Sequence, residues 1–402
     1  MKTYIKREFY EKKIKPYLNK DLIKVFIGQR RVGKSYILRQ TIDLIKEKKV
    51  SDKRILYIDK ENYEFNEIKT SDDLIQYCKK YFPKVKNKKY LLIDEVQEIQ
   101  DFHLALRSLN ASGEYDIYIT GSNADILSSD LANVLGGRYI SINIYGLSFV
   151  EFLQFHKLKN NLETFNEYLK YGSLPYLIHL ERDEEIRYAY LRSVLNTILL
   201  KDIVKRYAVR DIDFLERLIK FIADNIGSPF SAKSISDYMK SESITISPSV
   251  VINYLRQLND VFFIYQVSQI DIAGKKIFKT NEKYYFNDLG IRNSLVGYKA
   301  NDINKLLENI VYQELLRRYE KVYVGKTLHG TEVDFVTEQN GKFEYFQVAY
   351  LIDSDKTFKR EFENFAKIDD NYPKTVLTMD AILSDGYKGI AHRRIPEFLL
   401  SN

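Results

Sequence analysis

The sequence has no tryptophan, a single cysteine and no long apolar run. Cys78 alone excludes an internal disulfide and a zinc cluster built on thiolates, which fits a reducing, cytoplasmic setting; a lone cysteine is expected to serve packing. No stretch approaches the roughly 18 uninterrupted apolar residues of a membrane span, so a soluble chain is expected. The N-terminal MKTYIKREFYEKKIKPYLNK is basic but interrupted by Glu8 and Glu11, and it lacks an apolar centre with a small-residue cleavage site, so no export signal is visible. Charge of one sign is also scarce: 62 Lys and Arg against 55 Asp and Glu leave a net +7, which permits nucleic acid as a partner but is weak evidence for it. Internal repeats and low-complexity tracts are absent.

What is present is an ordinary globular composition, 45% hydrophobic and 29% charged over 402 residues, a length that suits two or three separate cores. The 32 Tyr and 23 Phe, amid much Lys, Ile and Asn, fit a genome-wide base bias. Short apolar runs at Ile23 to Ile27, Ile55 to Ile58, Tyr90 to Ile93, Ile117 to Ile119 and Tyr139 to Ile144 alternate with helical patterns such as Tyr36 to Lys46. That alternation predicts a parallel sheet covered by helices on both faces, whose strands can be apolar throughout. From Leu147 to about Ala208 the periodicity is helical, with one break at YGSLPY, and predicts a small helical lid. Residues from about Asp211 to Asp288 give three helical segments and a β-hairpin around Gly274 to Lys276, and the last hundred or so return to mixed α/β.

KVFIGQRRVGKSYILRQTIDLI supplies strand, loop and helix in the order that phosphate binding requires. Gly28, Gln29, Arg30, Arg31, Val32, Gly33, Lys34 and Ser35 form a complete phosphate-cradling loop, in which glycines let backbone N–H groups face phosphate and the helix N-terminus adds its positive end. Lys34 is expected to reach the β and γ phosphates of ATP, and Ser35 to ligate Mg2+. In KYLLIDEVQEI, Asp94 ends an apolar strand and can hold Mg2+ through water, while Glu95 can polarise the attacking water. The strand YDIYIT runs into GSNA, where Ser122 or Asn123 could sense the γ phosphate; simple turn chemistry is the competing explanation there.

These residues, with LGGRYISINIYGLSFVEFL, YGSLPYL, LKDIVKRY, KYYFNDLGIRNSL, LLENIVYQELLRR, TEVDFV and FQVAY, resemble a family of prokaryotic AAA-type ATPases over nearly the whole chain. Members join an ATPase core to a winged helix and a C-terminal domain of unknown function with a nuclease-like fold. The resemblance implies an α/β P-loop core of the additional-strand class, in which the strand of Asp94 and Glu95 is separated from the P-loop strand by the sensor strand. It implies four modules: the core at 1–146, the lid at 147–210, the winged helix at 211–290 and a PD-(D/E)xK-like α/β domain at 291–402. It also makes Arg138 the candidate arginine finger or sensor, against a structural role capping a strand end.

Within the expected winged helix, Phe214 to Asn225, Ser231 to Glu242 and Ser247 to Asp260 can form three helices, with Ser231 and Ser247 as N-caps and Pro248 in the first turn of the third. Val250, Val251, Tyr254, Leu255 and Leu258 would face inward and leave Ser249, Asn253 and Arg256 outward, where they could touch double-stranded DNA together with Lys275, Lys276 and Lys279 of the wing. In the last domain Glu308, Asp334 and Gln347 fall in the order of the nuclease acids, but Gln347 is neutral and Ala349 stands where the resemblance expects the lysine. Cleavage is therefore not expected, and only weak metal binding through Glu308, Glu332 and Asp334 remains. The functions in contention are an ATP-driven switch or motor, homo-oligomeric when active and engaging DNA or a protein partner; a slow signalling switch; and an ATP-dependent nuclease borrowing a lysine, for which Lys342 is the nearest candidate.

Overall fold

Five short strands form the first sheet: β1 (Ile23–Ile27), β2 (Ile55–Asp59), β3 (Lys89–Asp94), β4 (Tyr115–Gly121) and β5 (Tyr139–Asn143). Every neighbouring pair is parallel, in the order β2-β3-β4-β1-β5. β1, β3 and β4 are buried along their whole length, which is why their sequences read as continuous apolar runs. β4 lies between β1 and β3, so the strand ending at Asp94 does not touch the strand that enters the phosphate loop. Because all five strands run the same way, the loops leaving β1, β3 and β4 share one edge, where α/β sheets place their ligands.

The structure is a computed structural model and describes residues 4–83, 86–127, 135–327, 330–363, 365–381 and 386–401. Contacts divide the chain into two compact units, Met1–Tyr145 with Asp260–Phe262, and Gly146–Asn259 with Phe263–Asn402. In the first, α1 (Glu8–Ile14), α2 (Lys34–Glu47), α3 (Ser71–Tyr81) and α4 (Phe102–Ala111) accompany the sheet. A capping box between Thr70 and Asp73 starts α3 and sets Leu74 and Cys78 into the core. Cys78 is thus a packing residue, and burial pushes its thiol up to about 12. A fully buried ion pair between Lys24 of β1 and Asp116 of β4, with the Tyr118 hydroxyl donating to Asp116 at 2.7 Å, ties those two strands together.

The second unit begins with α5 (Phe149–His156), α6 (Leu162–Tyr171) and α7 (Glu184–Thr197), the last continued by a π-helical turn over Ile198–Val204. Next come α8 (Ile212–Asp224), α9 (Ala232–Ser241) and α10 (Pro248–Asp260), followed by the antiparallel strands β6 (Ile264–Asp271) and β7 (Ile277–Phe286). Ser231 caps α9 through the Ser234 amide, and Val251, Tyr254, Leu255 and Leu258 form the buried side of α10. After α11 (Leu289–Val296) and α12 (Ile303–Arg318) the chain adds β8 (Lys321–Lys326), β9 (Glu332–Gln339), β10 (Lys342–Val348), β11 (Lys374–Thr378), β12 (Ala391–Arg394) and α13 (Ile395–Leu400). One seven-stranded sheet, β12-β11-β10-β9-β8-β6-β7, contains the hairpin, because Gln269–Asp271 of β6 pair in parallel with Val324–Lys326 of β8. The hairpin is therefore an edge of that sheet.

The motifs YGSLPY and FNDLG meet in this unit. Buried Asp288 accepts hydrogen bonds from the Ser173 amide at 2.7 Å, the Ser173 hydroxyl at 2.9 Å and the Ile291 amide at 2.9 Å. A Cβ on residue 290 would lie 2.0 Å from the Tyr171 carbonyl oxygen, so the start of α11 can approach the end of α6 only with glycine there. Among the described residues no helix is long and apolar enough to cross a membrane.

Candidate functional site

β1 feeds Ile27 directly into the loop Gly28 to Ser35, and Gly33, with φ of 100°, caps α2 so that Lys34 is its first residue. At Gly28 a Cβ would sit 2.1 Å from the Ile144 carbonyl oxygen, so the segment leaving β5 passes too close for any other residue. Lys34 is buried; its Nζ lies 3.0 Å from the Gly28 carbonyl, 3.1 Å from the Gln29 carbonyl and 4.0 Å from Glu95 Oε1. Around it, Arg30 pairs with Glu61 at 3.1 Å, Arg31 is exposed with a φ of 71°, and the buried Gln29 Oε1 has no hydrogen-bond partner among the described residues. Behind the loop, Arg7 Nη1 donates to the Val32 carbonyl at 3.2 Å and to the Tyr145 carbonyl at 2.9 Å, a support that the loop motif gives no hint of.

Ser35 donates a hydrogen bond to Asp94, which also accepts from Thr120 Oγ1 at 2.5 Å and from the Tyr57 hydroxyl at 3.1 Å. Burial raises the Asp94 pKa even though the Thr120 and Ser35 hydroxyls favour its charged form. Glu95 leaves the strand in a left-handed conformation, φ 52°, and its amide donates to the same Thr120 oxygen at 2.9 Å. Its carboxylate accepts from Ser122 Oγ at 3.2 Å and from Gln97. Burial opposes charge on Glu95, but the Lys34 ammonium and the Arg30 guanidinium outweigh it and hold the carboxyl below its ordinary range. Thr120, which joins the two acids, is a residue the sequence did not single out; its place is evident only once β4 is known to lie beside β3. Asn123, fully buried, follows at the end of β4, and it is Ser122 that meets Glu95.

Arg138 lies elsewhere in the same unit. It is exposed, it precedes Tyr139, and Tyr139 is in register with Ile23, whereas the phosphate loop follows Ile27 at the other end of β1. Five strand residues at about 3.3 Å each put roughly 17 Å between Arg138 and the loop. It does not belong to the cluster around Lys34 in its own chain.

The second unit gathers Glu308 of α12, Glu332 and Asp334 of β9 and Gln347 of β10. The Asp334 amide donates to Gln347 Oε1 at 3.3 Å, and Asp334 Oδ2 accepts from the Val348 amide at 2.8 Å. Lys283 of β7, absent from the sequence-based site, enters this group. Its Nζ lies 2.8 Å from Glu308, 2.6 Å from Glu332 and 3.9 Å from Asp334, and the Tyr285 hydroxyl donates to Glu308. Burial works against the ammonium, but Glu308, Asp334 and Glu332 outweigh it and raise its pKa; burial likewise raises Asp334. The expectation that Lys342 is the nearby lysine is corrected: it starts β10 in register with Gln339, five residues and roughly 17 Å from Gln347. In NEKYYF the period of two puts Lys283 and Tyr285 on one face, a signal too common to have marked them.

Of the expected DNA-facing residues, Ser249, Asn253, Arg256 and Lys276 are exposed. The Lys279 side chain lies outside the described residues. Lys275 is partly buried: its ammonium donates to the Tyr345 hydroxyl at 2.6 Å and lies 4.6 Å from the Phe343 ring centre, 5.1 Å from Tyr345 and 5.3 Å from Tyr372. These contacts hold it against β10.

A protein of Haemophilus influenzae is 37% identical over 381 residues, covering 94% of each chain, and one of Methanocaldococcus jannaschii is 30% identical over 360 residues, covering 86% of this chain and 78% of its own. Both relatives are uncharacterized proteins. An AAA domain matches residues 20–153, and two domains of unknown function, DUF8612 and DUF4143, match 162–302 and 304–388. The chain belongs to this family of AAA-type P-loop ATPases. A Walker-type ATPase of Pyrococcus abyssi shares the fold at 16% identity, with a TM-score of 0.53 over 73% of this chain and 96% of that one. For an AAA-type ATPase the donor set around Ser35 fits Mg2+ with a nucleotide: one hydroxyl and one carboxylate stand adjacent, and phosphates and water would complete the shell. Among the described residues no group of three or more His, Cys, Asp or Glu side chains is arranged to hold a metal ion without such help.

Proposed function

We propose that the chain binds Mg2+–ATP and hydrolyses it, and that the resulting cycle works a switch or motor. The observation that carries this is the hydrogen-bonded line Ser35, Asp94, Thr120 and the Glu95 amide, which sets a metal-ligating pair beside an ionised carboxylate and a lysine. Lys34, now on the Gly28 and Gln29 carbonyls, exchanges them for β and γ phosphate oxygens, with Gln29, Arg30, Arg31, Val32 and Gly33 presenting the backbone of the cradle. Mg2+, when bound beside Ser35 and Asp94, neutralises phosphate charge. Glu95 orients water and accepts its proton, and its depressed pKa keeps it ready as a base. Asn123 or Ser122 reports the state of the γ phosphate from the end of β4.

Arg138 acts on the nucleotide of a neighbouring copy, a role supported by its exposure and its distance from its own loop. The active form is then a homo-oligomer. Residues 147–210 act as the lid, 211–290 as a winged helix and 291–402 as a nuclease-like domain. Ser249, Asn253, Arg256 and Lys276 are the contacts for double-stranded DNA, with a protein partner as the alternative occupant. A slow signalling switch is the second reading, favoured by one observation: Glu95 is held by Ser122 and Gln97, so chemistry waits for those bonds to open. Phosphate release from ATP tests the proposal. Steady turnover with Mg2+, abolished by chelation, is expected; a single burst would favour the slow switch, and no release with or without duplex DNA would refute hydrolysis.

A further inference from the structure

A nuclease-like fold implies divalent metal held by acids, and the residues of this unit do not fit one. We propose that the Glu308, Glu332 and Asp334 cluster is a cation site filled by the protein's own Lys283, so that it neither takes Mg2+ nor cuts nucleic acid. The geometry carries it. One ammonium stands 2.8 Å and 2.6 Å from two carboxylates and 3.9 Å from the third, and the Lys283 side chain is 3% exposed. Of the three donors an ammonium has to offer, one goes to Glu308 as a hydrogen bond, and Glu332 and Asp334 are held as ion pairs. Further donors already sit on two of the acids: Glu308 Oε1 also takes the Tyr285 hydroxyl, and Asp334 Oδ2 takes the Val348 amide.

A divalent ion here would have to enter an octahedron of oxygens at about 2.0–2.1 Å, most of them water in the absence of a substrate phosphate. It would also have to displace the ammonium, which would be left buried beside a second cation without a counter-charge. Gln347 occupies the strand position next to Asp334 and brings a neutral amide in place of a further carboxylate. Lys283 comes from β7, not from the strand of Gln347, so a motif anchored on that strand does not see it. Its raised pKa follows from the same three neighbours and removes it as a neutral base near pH 7. The site therefore joins β7, α12 and β9 electrostatically.

Mn2+ is a suitable probe, followed by electron paramagnetic resonance on the full nucleotide-free chain, comparing wild type, Lys283→Ala, Asp334→Asn and the double variant. Any ion at Ser35 and Asp94 is common to all four and cancels. Wild type and Asp334→Asn should bind Mn2+ alike. Lys283→Ala should gain one ion per chain, at least about tenfold tighter than any wild-type binding at this cluster, and the double variant should lose it again. A wild-type ion that Asp334→Asn removes would overturn the proposal, and so would a folded Lys283→Ala that gains none. If Lys283→Ala does not fold, the wild-type and Asp334→Asn pair decides alone. Plasmid nicking with Mg2+ or Mn2+ supplies an independent readout: nicking by wild type that Asp334→Asn abolishes overturns the assignment, whereas intact plasmid with both agrees with it.

Discussion

Each of the two units buries a lysine next to carboxylates, and the two lysines are set for opposite ends. Lys34 Nζ lies 4.0 Å from Glu95 and on two carbonyl oxygens of its own loop, neutral acceptors for which a polyphosphate offers charged ones. Lys283 has three acids within 3.9 Å and nothing to gain from leaving them. The lesson is that burial of a cation does not by itself mark a ligand site; the backbone setting that surrounds it does. A lysine in a glycine-rich loop at a helix N-terminus keeps positive potential for an incoming anion, whereas one in a strand facing three carboxylates closes the site on itself.

That contrast can be broken most sharply by removing each lysine. Lys34→Ala should weaken ATP binding by roughly a thousandfold while leaving thermal stability close to wild type, as read by calorimetric titration and melting. Lys283→Met should do the reverse, with ATP affinity unchanged and folding destabilised by about 3 kcal/mol in urea titration at pH 8. The sign of its pH dependence follows from the cluster. Burial raises the Asp334 pKa even beside the ammonium, so without Lys283 the folded chain holds this proton more firmly than the unfolded one, and the loss shrinks as pH falls toward 5. A loss that grows on acidification would contradict the assignment.

Smaller effects sharpen the picture within each unit. Arg138→Ala should lower turnover by about a hundredfold with little change in ATP affinity. Mixing it with a Glu95→Gln protein should restore part of the activity, because each copy then supplies what its neighbour lacks; no restoration would return Arg138 to a strand-capping role. In the second unit, Arg256→Ala and Lys276→Ala should each flatten the salt dependence of duplex affinity by roughly one unit of slope, measured by fluorescence anisotropy between about 50 and 200 mM salt. Lys275→Ala, whose ammonium sits among the rings of Phe343, Tyr345 and Tyr372, should leave that slope unchanged.

Much of the first unit was legible because its signals are local. GQRRVGKS is one loop between one strand and one helix, and behind it the apolar runs ending at Ile27 and Asp94 read as buried parallel strands. Thr120 and Arg7 escaped because their roles depend on which strands are neighbours and on where the N-terminal segment packs, neither of which a window of residues contains. The buried side of α10 was legible from its 3.6-residue period, whereas the fate of the hairpin was not. Its pairing with β8 joins residues more than fifty positions apart, and that pairing makes it a sheet edge and carries Lys275 onto β10. Lys283 escaped for the same reason: the acids it neutralises come from α12 and β9, later in the chain.

The central claim is that the carboxylate beside Lys34 does chemistry rather than binding, and Glu95→Gln tests it most directly. ATP affinity by calorimetry and phosphate release should be measured on the same preparations of wild type and variant. The account predicts affinity within about threefold of wild type and a turnover lower by roughly a hundredfold or more. Release by Glu95→Gln at the wild-type rate would contradict it.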